Sequence, residues 1–534
     1  MIFRGKKVKK LISLIGIVSL VMMTSAMSVF AAERIVIKVP TWGLPEGKDY
    51  YKVADTLDIG AARSLYNVPL FQMFHPNVKI EHMTWDMWSA EAGQKLLAAL
   101  AAGTAPAFYY TGHIGGHQYA ITEGFCADIT DYVQDVKDKI VWSVWQDAWR
   151  GGRCYGLPAA GMYSRPLAYR VDWFKNAGIF NKKGEPAPSE NWTWEDFRNI
   201  AIKLTDPRKK HWGIGIAVGW FWHEVLMSYG VQYMKPDPTG KYTWQGNLNC
   251  PESVATGQFI HDLVFKDKCA LTGTEFWYGE NLNAFKSGKT GMLIGINSTH
   301  ITAINRWKAI PEIAEEMRAG KSYRDVVTKY VRLMYPPCLL NSGRYTRNST
   351  RANLFAVNPL MSKEQIKAAT DWILWNRQGK GKTWEFISRY LQGLVPYPQV
   401  ILAYKVDTAG LPPVENYYPE NYIKWEGKFS SIPRPPSQST FGLKCSRENE
   451  FFSVLDGPQS AAISIPDANM KKILDEANKR VNTTVFNYKE KGITSENFKA
   501  YYNALKDFME KNWPDFYKNY WIKIYERDYL PAFK

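Results

Sequence analysis

Apolar residues along this chain fall into short blocks whose spacing alternates between strand-like and helix-like. Arg34 to Val39 is an apolar run of strand length, ended by Thr41-Trp42-Gly43-Leu44-Pro45, whose glycine and proline mark a loop. Helical spacing follows over Ala61 to Phe74, a strand over Val78 to Met83, a helix over Ser89 to Ala102, and a strand over Ala107 to Tyr110. The order βαβαβ predicts a parallel sheet with crossing helices. A second set repeats it: helix Trp194 to Lys203, strand Ile214 to Val218, helix Pro251 to Lys266 and strand Thr290 to Ile296. Each set predicts an α/β lobe. At 534 residues the chain exceeds what one core organises well and suits two lobes.

Between the two sets lies Arg150 to Ile179, which reads as a crossing. Gly151 and Gly152 allow a tight turn, Tyr155 begins an extended run, and Pro158 lacks the donor a central strand needs. Leu167 to Val171 returns to strand composition, and Asp172 to Gly178 reads as one helical turn closed by glycine. Farther on, Pro396 to Asp467 is rich in Pro, Tyr, Asn and Ser, predicting an irregular elaboration packed on the second lobe. Met470 to Asn482 and Ser495 to Met509 are amphipathic helices by spacing.

Met1 to Ala31 places five basic residues before an apolar run, Leu11 to Met23, and ends in small residues. That is the layout of a secretory signal peptide, and its apolar run is shorter than a membrane span needs. No cysteine precedes Cys126, so a lipid-accepting cysteine is missing from the export site, and a periplasmic or secreted protein is expected. Without the leader, Lys plus Arg fall from 67 to 62 against 51 acids, leaving +11. The lysines are scattered among acids rather than gathered in one arm, which argues against a nucleic-acid partner.

Six cysteines would meet an oxidising compartment, and Cys250 with Cys269 is the first pair to test; buried free thiols are the equal alternative. There is no CxxC pair, so neither a zinc nor a redox site is expected. His113 and His117 are four apart but separated by two glycines, which suits a loop better than a helical metal platform. His223-Glu224 begins an HExxH pattern that lacks its second histidine, and no GxSxG occurs. No catalytic residue and no cofactor is expected from these patterns.

Several segments together resemble one family. YGLP at Tyr155 to Pro158, YRVDWFKNAGI at Tyr169 to Ile179, and TWEDF at Thr193 to Phe197 are similar to the YGLP, YNKDLFKKAGI and TWDEF motifs of family 1 extracellular solute-binding proteins, the sugar-binding components of bacterial ABC importers. Phe71 to Glu81, Lys95 to Pro106, Gly124 to Val133 and Asn283 to Gly295 match further phrases in the family's order. The resemblance implies a two-lobed fold of the type II periplasmic-binding-protein kind, α/β, each lobe a mixed, mainly parallel sheet flanked by helices and joined by crossing strands. It assigns 32–157 and 303–358 to the N-terminal lobe and 158–302 and 359–534 to the C-terminal lobe, with the elaboration at about 396–467. It implies a monomer that captures a carbohydrate between its lobes and delivers it to a membrane permease. The C-terminus is similar to that of larger oligosaccharide-binding members.

Sheets of this type bind ligands beyond the carboxyl ends of their strands. Trp42 follows the first strand, Tyr110, Thr111 and His113 the third, Trp220 and Trp222 the strand at 214–218, and Asn297 the strand at 290–296. Tyr163 lies just past the crossing, and Tyr345 in the return segment. Aromatic faces pack on the C–H face of a pyranose, while amides and hydroxyls meet its rim. Asn297 stands where the family commonly has tryptophan, an altered stacking position. The chain has 21 Trp, 31 Tyr and 25 Phe, far more than one cleft can use, so Trp173, Trp194, Trp372 and Trp375 are assigned to packing. A secreted glycoside hydrolase, or a binding protein for another solute such as a peptide, are the alternatives.

Overall fold

The structure is a computed structural model that describes residues 34–41, 59–85, 91–114, 116–140, 145, 148–159, 167–189, 191–272, 278–294, 311–321, 326, 329–334, 336–339, 354–383, 387, 445, 447–490 and 493–533. The signal peptide and most of the 396–467 elaboration lie outside them.

Strand β1 (Ile35–Thr41) leads to helix α1 (Ile59–Phe74), strand β2 (Val78–Thr84), helix α2 (Ala92–Ala101) and strand β3 (Phe108–Tyr110), as the spacing predicts. β1 and β2 pair in parallel from Ile35 with Val78 to Thr41 with Thr84. Along β1, Ile37 and Val39 are buried while Lys38 between them is exposed, the alternation of a strand with one face on a core. The Ala107 amide donates to the Lys38 carbonyl at 2.7 Å, bringing β3 beside β1. After the hairpin β4 (Trp149–Arg150) and β5 (Arg153–Cys154) comes β6 (Leu157–Pro158), and β14 (Leu354–Val357), which returns far along the chain, runs antiparallel between β3 and β6. Pro158 thus sits on an edge strand, where its missing donor is tolerated.

A second sheet begins with β7 (Leu167–Arg170), followed by the short helix Val171–Asn176. Gly178 ends that turn with φ of 64°, a left-handed conformation glycine adopts without a Cβ penalty. Helix α3 (Trp194–Leu204) starts at a capping box. The Thr193 hydroxyl accepts the Asp196 amide, and the Asp196 carboxylate accepts the Thr193 amide. The TWEDF motif is therefore a helix-start device. Strand β8 (Trp212–Ile216), helix α4 (Val218–Ser228), the hairpin β9 (Met234–Pro236) and β10 (Trp244–Gly246), helix α5 (Pro251–His261), β11 (Ala270–Thr272), helix α6 (Tyr278–Lys286) and β12 (Thr290–Leu293) follow. The sheet order is β11-β8-β12-β7-β13, with β13 being Val331–Met334. β8 is parallel to β11 and β12, while β7 is antiparallel to β12 and β13. The five-stranded sheet is mixed, whereas on the other side the β1–β2 pair is parallel and β3-β14-β6 is antiparallel; with the helices packed against them this is the α/β kind of fold the sequence implies.

Three segments lie elsewhere than the sequence places them. Val331–Met334, assigned to the N-terminal lobe, is an edge strand of the second sheet, where its apolar residues pair with β7. Helix α7 (Lys363–Arg377), assigned to the C-terminal lobe, packs on the first: Gln365 Nε2 donates to the Val36 carbonyl at 2.9 Å, and Trp372 meets Phe71 edge-on at 5.1 Å. Helix α8 (Glu448–Ser464) occupies the end of the region expected to be irregular. Phe451, Val454, Leu455, Ala461 and Ala462 give it one apolar face, which outweighs the amide lost at Pro458. It packs with α4, α5 and the next helix, α9 (Met470–Arg480). Helix α10 (Ser495–Asn512) precedes a C-terminal segment fastened by charge: Arg527 makes a bidentate bond to Glu252 at 3.0 and 2.9 Å and also donates to Asp528, which receives Lys235 as well.

The Cys250–Cys269 pairing is corrected. All six cysteines are free and buried, and burial pushes the thiols of Cys154, Cys250 and Cys269 up to about 12. Among the described residues, no helix is long and apolar enough to cross a membrane.

Candidate functional site

The carboxyl ends of β3 and β8 define the described part of the site. At β3, Tyr110 is half-buried and its ring lies over Gly112, where an added Cβ would come 2.0 Å from the Tyr110 hydroxyl. The chain then turns sharply, the Thr111 carbonyl accepting the amides of Ile114 and Gly116 at 3.1 Å each. Thr111 is itself buried, and its hydroxyl bonds His117 Nδ1 at 3.0 Å. His117 is half-buried as a residue, but its Nε2 is shut off from solvent. That burial lowers its pKa from 6.5 to about 3, so the imidazole is neutral. The ring rests on Gly156, where a Cβ would sit 2.7 Å from His117 Cε1 and 2.7 Å from the Phe355 carbonyl.

At β8 the strand ends at Ile216, two residues earlier than expected, and Val218 already opens α4. Ala217 is the N-cap and offers no side-chain acceptor to the first turn. Trp220, in that turn, is half-buried. Trp222 is completely buried. It packs under α5, where a Cβ on Gly257 would lie 2.8 Å from Trp222 Cη2 and 3.0 Å from Met470 Cε. Phe221 is equally buried, with ring centroids 5.8 Å from Trp194 and from Phe197.

Two proposed ligand contacts are therefore corrected. Trp222 is a core residue of the second lobe, because one helical turn carries it away from the strand end. Thr111 holds the loop after β3 through His117 rather than facing solvent. Tyr110 and Trp220 remain at the strand ends with surface to offer. His113 lies in the short turn Gly112–Ile114, its side chain outside the described set, as are Trp42, Tyr163, Asn297 and Tyr345.

Sequence reasoning missed two features. His117 was weighed only as a metal ligand, although a histidine six residues after a strand-end threonine can pin the intervening turn. Helix α8 was missed too, and it reaches the start of α4: Gln459 Oε1 lies 3.4 Å from the place a Cβ on Gly219 would take. Among the described residues, no group of three or more His, Cys, Asp or Glu is placed to hold a metal ion.

Against known proteins, the profile described as Bacterial extracellular solute-binding protein matches residues 44–321, over half of the 534-residue chain. An uncharacterized lipoprotein of the oleD 5' region of Streptomyces antibioticus is 29% identical over 136 residues, 25% of this chain and 28% of that relative. The chain thus matches well under a third of that curated relative's length. Among solved structures, an ABC substrate-binding protein of Listeria monocytogenes in complex with cycloalternan shares 18% identity with a TM-score of 0.54, covering 84% of this chain and 99% of that one. Maltose-bound MalE3 of T. maritima shares 16% identity with a TM-score of 0.59 over the same shares of the two chains. At such identities the likeness concerns the fold.

Proposed function

The chain belongs to the bacterial extracellular solute-binding proteins, and from that premise we propose that it captures a carbohydrate, an oligosaccharide for preference, between its two lobes and delivers it to an ABC permease. The observation that carries this reading is the chemistry at the strand ends. Tyr110 at the end of β3 and Trp220 beyond β8 each keep aromatic surface at the place where open α/β sheets bind ligands, one on each sheet. The sugars bound by the structural relatives, cycloalternan and maltose, support it. Hinge closure around a ligand is the general behaviour of periplasmic binding proteins. Closure follows only if the ligand gains contacts in the closed state, so both lobes must contribute. The protein acts without turnover, as an exported monomer.

Thermal unfolding across maltose, maltotriose, cycloalternan, D-mannitol, glycerophosphocholine and a peptide pool tests the reading. A ligand at one hundred times its Kd stabilises by about 2.7 kcal/mol. Stabilisation by a sugar, with the sugar recovered intact afterwards, is the expected result. Stabilisation by peptides alone, or release of cleaved sugar, overturns it.

A further inference from the structure

We propose that helix α8 supplies ligand-recognition residues to the site, Gln459 with Asp456 one turn before it, so that the C-terminal elaboration reads the hydroxyl groups of a neutral polyhydroxylated ligand at the start of α4. The inference rests on the carbohydrate reading and assigns it residues that neither the strand ends nor the motifs reveal.

Helix α4 begins directly after the interior strand β8, and its N-cap, Ala217, brings no side-chain acceptor to the amides of Val218 and Gly219. Such an end favours oxygen ligands. The second observation is independent of it. Gln459 is 6% exposed, and its Oε1 lies 3.4 Å from the Cβ position of Gly219, the second residue of α4. No hydrogen bond joins its amide to a described residue. Neither of its amide atoms is closed off from solvent, so the carboxamide is open to an arriving hydroxyl group.

The neighbours on α8 sharpen the ligand chemistry. Phe452, Asp456 and Gln459 follow at spacings of four and three, so they share one flank of the helix. Phe452 is half-buried and meets Tyr233 edge-on at 6.1 Å. The Asp456 carboxyl is exposed, yet enough protein surrounds it for desolvation to raise its pKa. An apolar ring, a carboxylate and a carboxamide in line suit a ligand with an apolar face and a hydroxyl rim. A helix N-terminus alone would also suit an anion, but a carboxylate on the same flank opposes one.

Gln459→Leu keeps the volume and removes both hydrogen-bonding atoms; Gln459→Glu keeps the acceptor. Isothermal titration with maltotriose, cycloalternan and D-mannitol, together with melting of the free proteins, tests the role. The wild type binds at least one of these sugars, Gln459→Leu weakens that binding at least tenfold, Asp456→Asn weakens it less, and Gln459→Glu falls between wild type and Gln459→Leu. The free variants melt with the wild type, because the amide holds nothing in the unliganded fold. Wild-type binding with unchanged affinity in Gln459→Leu overturns the role of α8 and leaves the carbohydrate reading standing. An equal loss of melting temperature in free and liganded Gln459→Leu shows a helix cap instead and overturns it too. Failure of the wild type to bind any of the three sugars overturns both.

Discussion

Replacing Trp222 by Ala separates a core tryptophan from a ligand-facing one, and the structure fixes which outcome to expect. The indole is fully buried beneath α5, and its Nε1 has no bonded partner among the described residues, so what the substitution removes is packing alone. Truncating a buried aromatic to Ala costs about 3–5 kcal/mol. In a cooperative unit of lobe size each kcal/mol moves the melting temperature by about 2–4 °C, giving a fall of roughly 6–20 °C. Gly257 supplies an internal control. In the wild type its added methyl would meet Trp222 Cη2 at 2.8 Å and Met470 Cε at 3.0 Å. Overpacking of that kind costs about 1–3 kcal/mol, which exceeds the gain of about 1 kcal/mol for Ala over Gly in a helix. Gly257→Ala should therefore destabilise the wild type. In the Trp222→Ala background the indole is gone and the flexible Met470 tip can turn aside, so the same substitution should stabilise by up to about 1 kcal/mol. Thermal unfolding of the four proteins followed by circular dichroism reads this sign reversal. A Trp222→Ala protein that melts with the wild type but loses ligand affinity would refute the reasoning and return Trp222 to the site.

Two further outcomes follow from buried groups. Because the six cysteines are free and buried, a thiol reagent should label almost none in the native protein and six after denaturation without reductant; a count of four would reveal a disulfide. His117 has a folded pKa depressed from 6.5 to about 3, so between those values the unfolded chain takes up a proton that the folded protein refuses. Its contribution is constant above pH 6.5 and stability falls as pH drops below it, with a slope reaching about 1.4 kcal/mol per pH unit. His75, His82 and His211 are lowered in the same direction by burial, so the informative quantity is a difference: stability should fall less steeply from pH 6 to 4.5 in His117→Gln than in the wild type, measured by chemical denaturation, and parallel profiles would refute the enclosure of His117.

What the sequence made legible depended on whether local pattern and tertiary role coincide. The βαβαβ order at 34–110 emerged because β1, β2 and α2 each have one buried face, as Ile37, Lys38 and Val39 show. The start of α3 was legible because a capping box is local chemistry. Helix α4 was not read from the sequence, its first residue being taken for the end of a strand, because every residue from Phe221 to Ser228 is buried, which erases the 3.6-residue period that marks an amphipathic helix. That error placed Trp222 in the site. Helix α8 was obscured by the Pro-, Tyr-, Asn- and Ser-rich composition of the region it ends, although it tolerates Pro458 within its own span. The placement of Val331–Met334 was hidden for another reason: a four-residue apolar strand suits either sheet, and only pairing with β7 decides.

The pairing of the crossing strands bears on how a ligand at one strand end is felt at the hinge. The chain leaves the first sheet after β6 and enters the second at β7; it leaves the second after β13 and re-enters the first at β14. β6 pairs with β14 and β7 with β13, both antiparallel, so the two passages are neighbours at either end. A relative rotation of the sheets must therefore strain both passages together. The turn that follows Tyr110 is not independent of them. Thr111 is bonded to His117, and His117 rests on Gly156 immediately before β6, against the Phe355 carbonyl of β14. With no room for even a Cβ at that contact, a displacement of either crossing strand pushes the imidazole, and the imidazole carries Thr111. Tyr110 is thus positioned by the strands at the passage between the sheets as well as by its own strand.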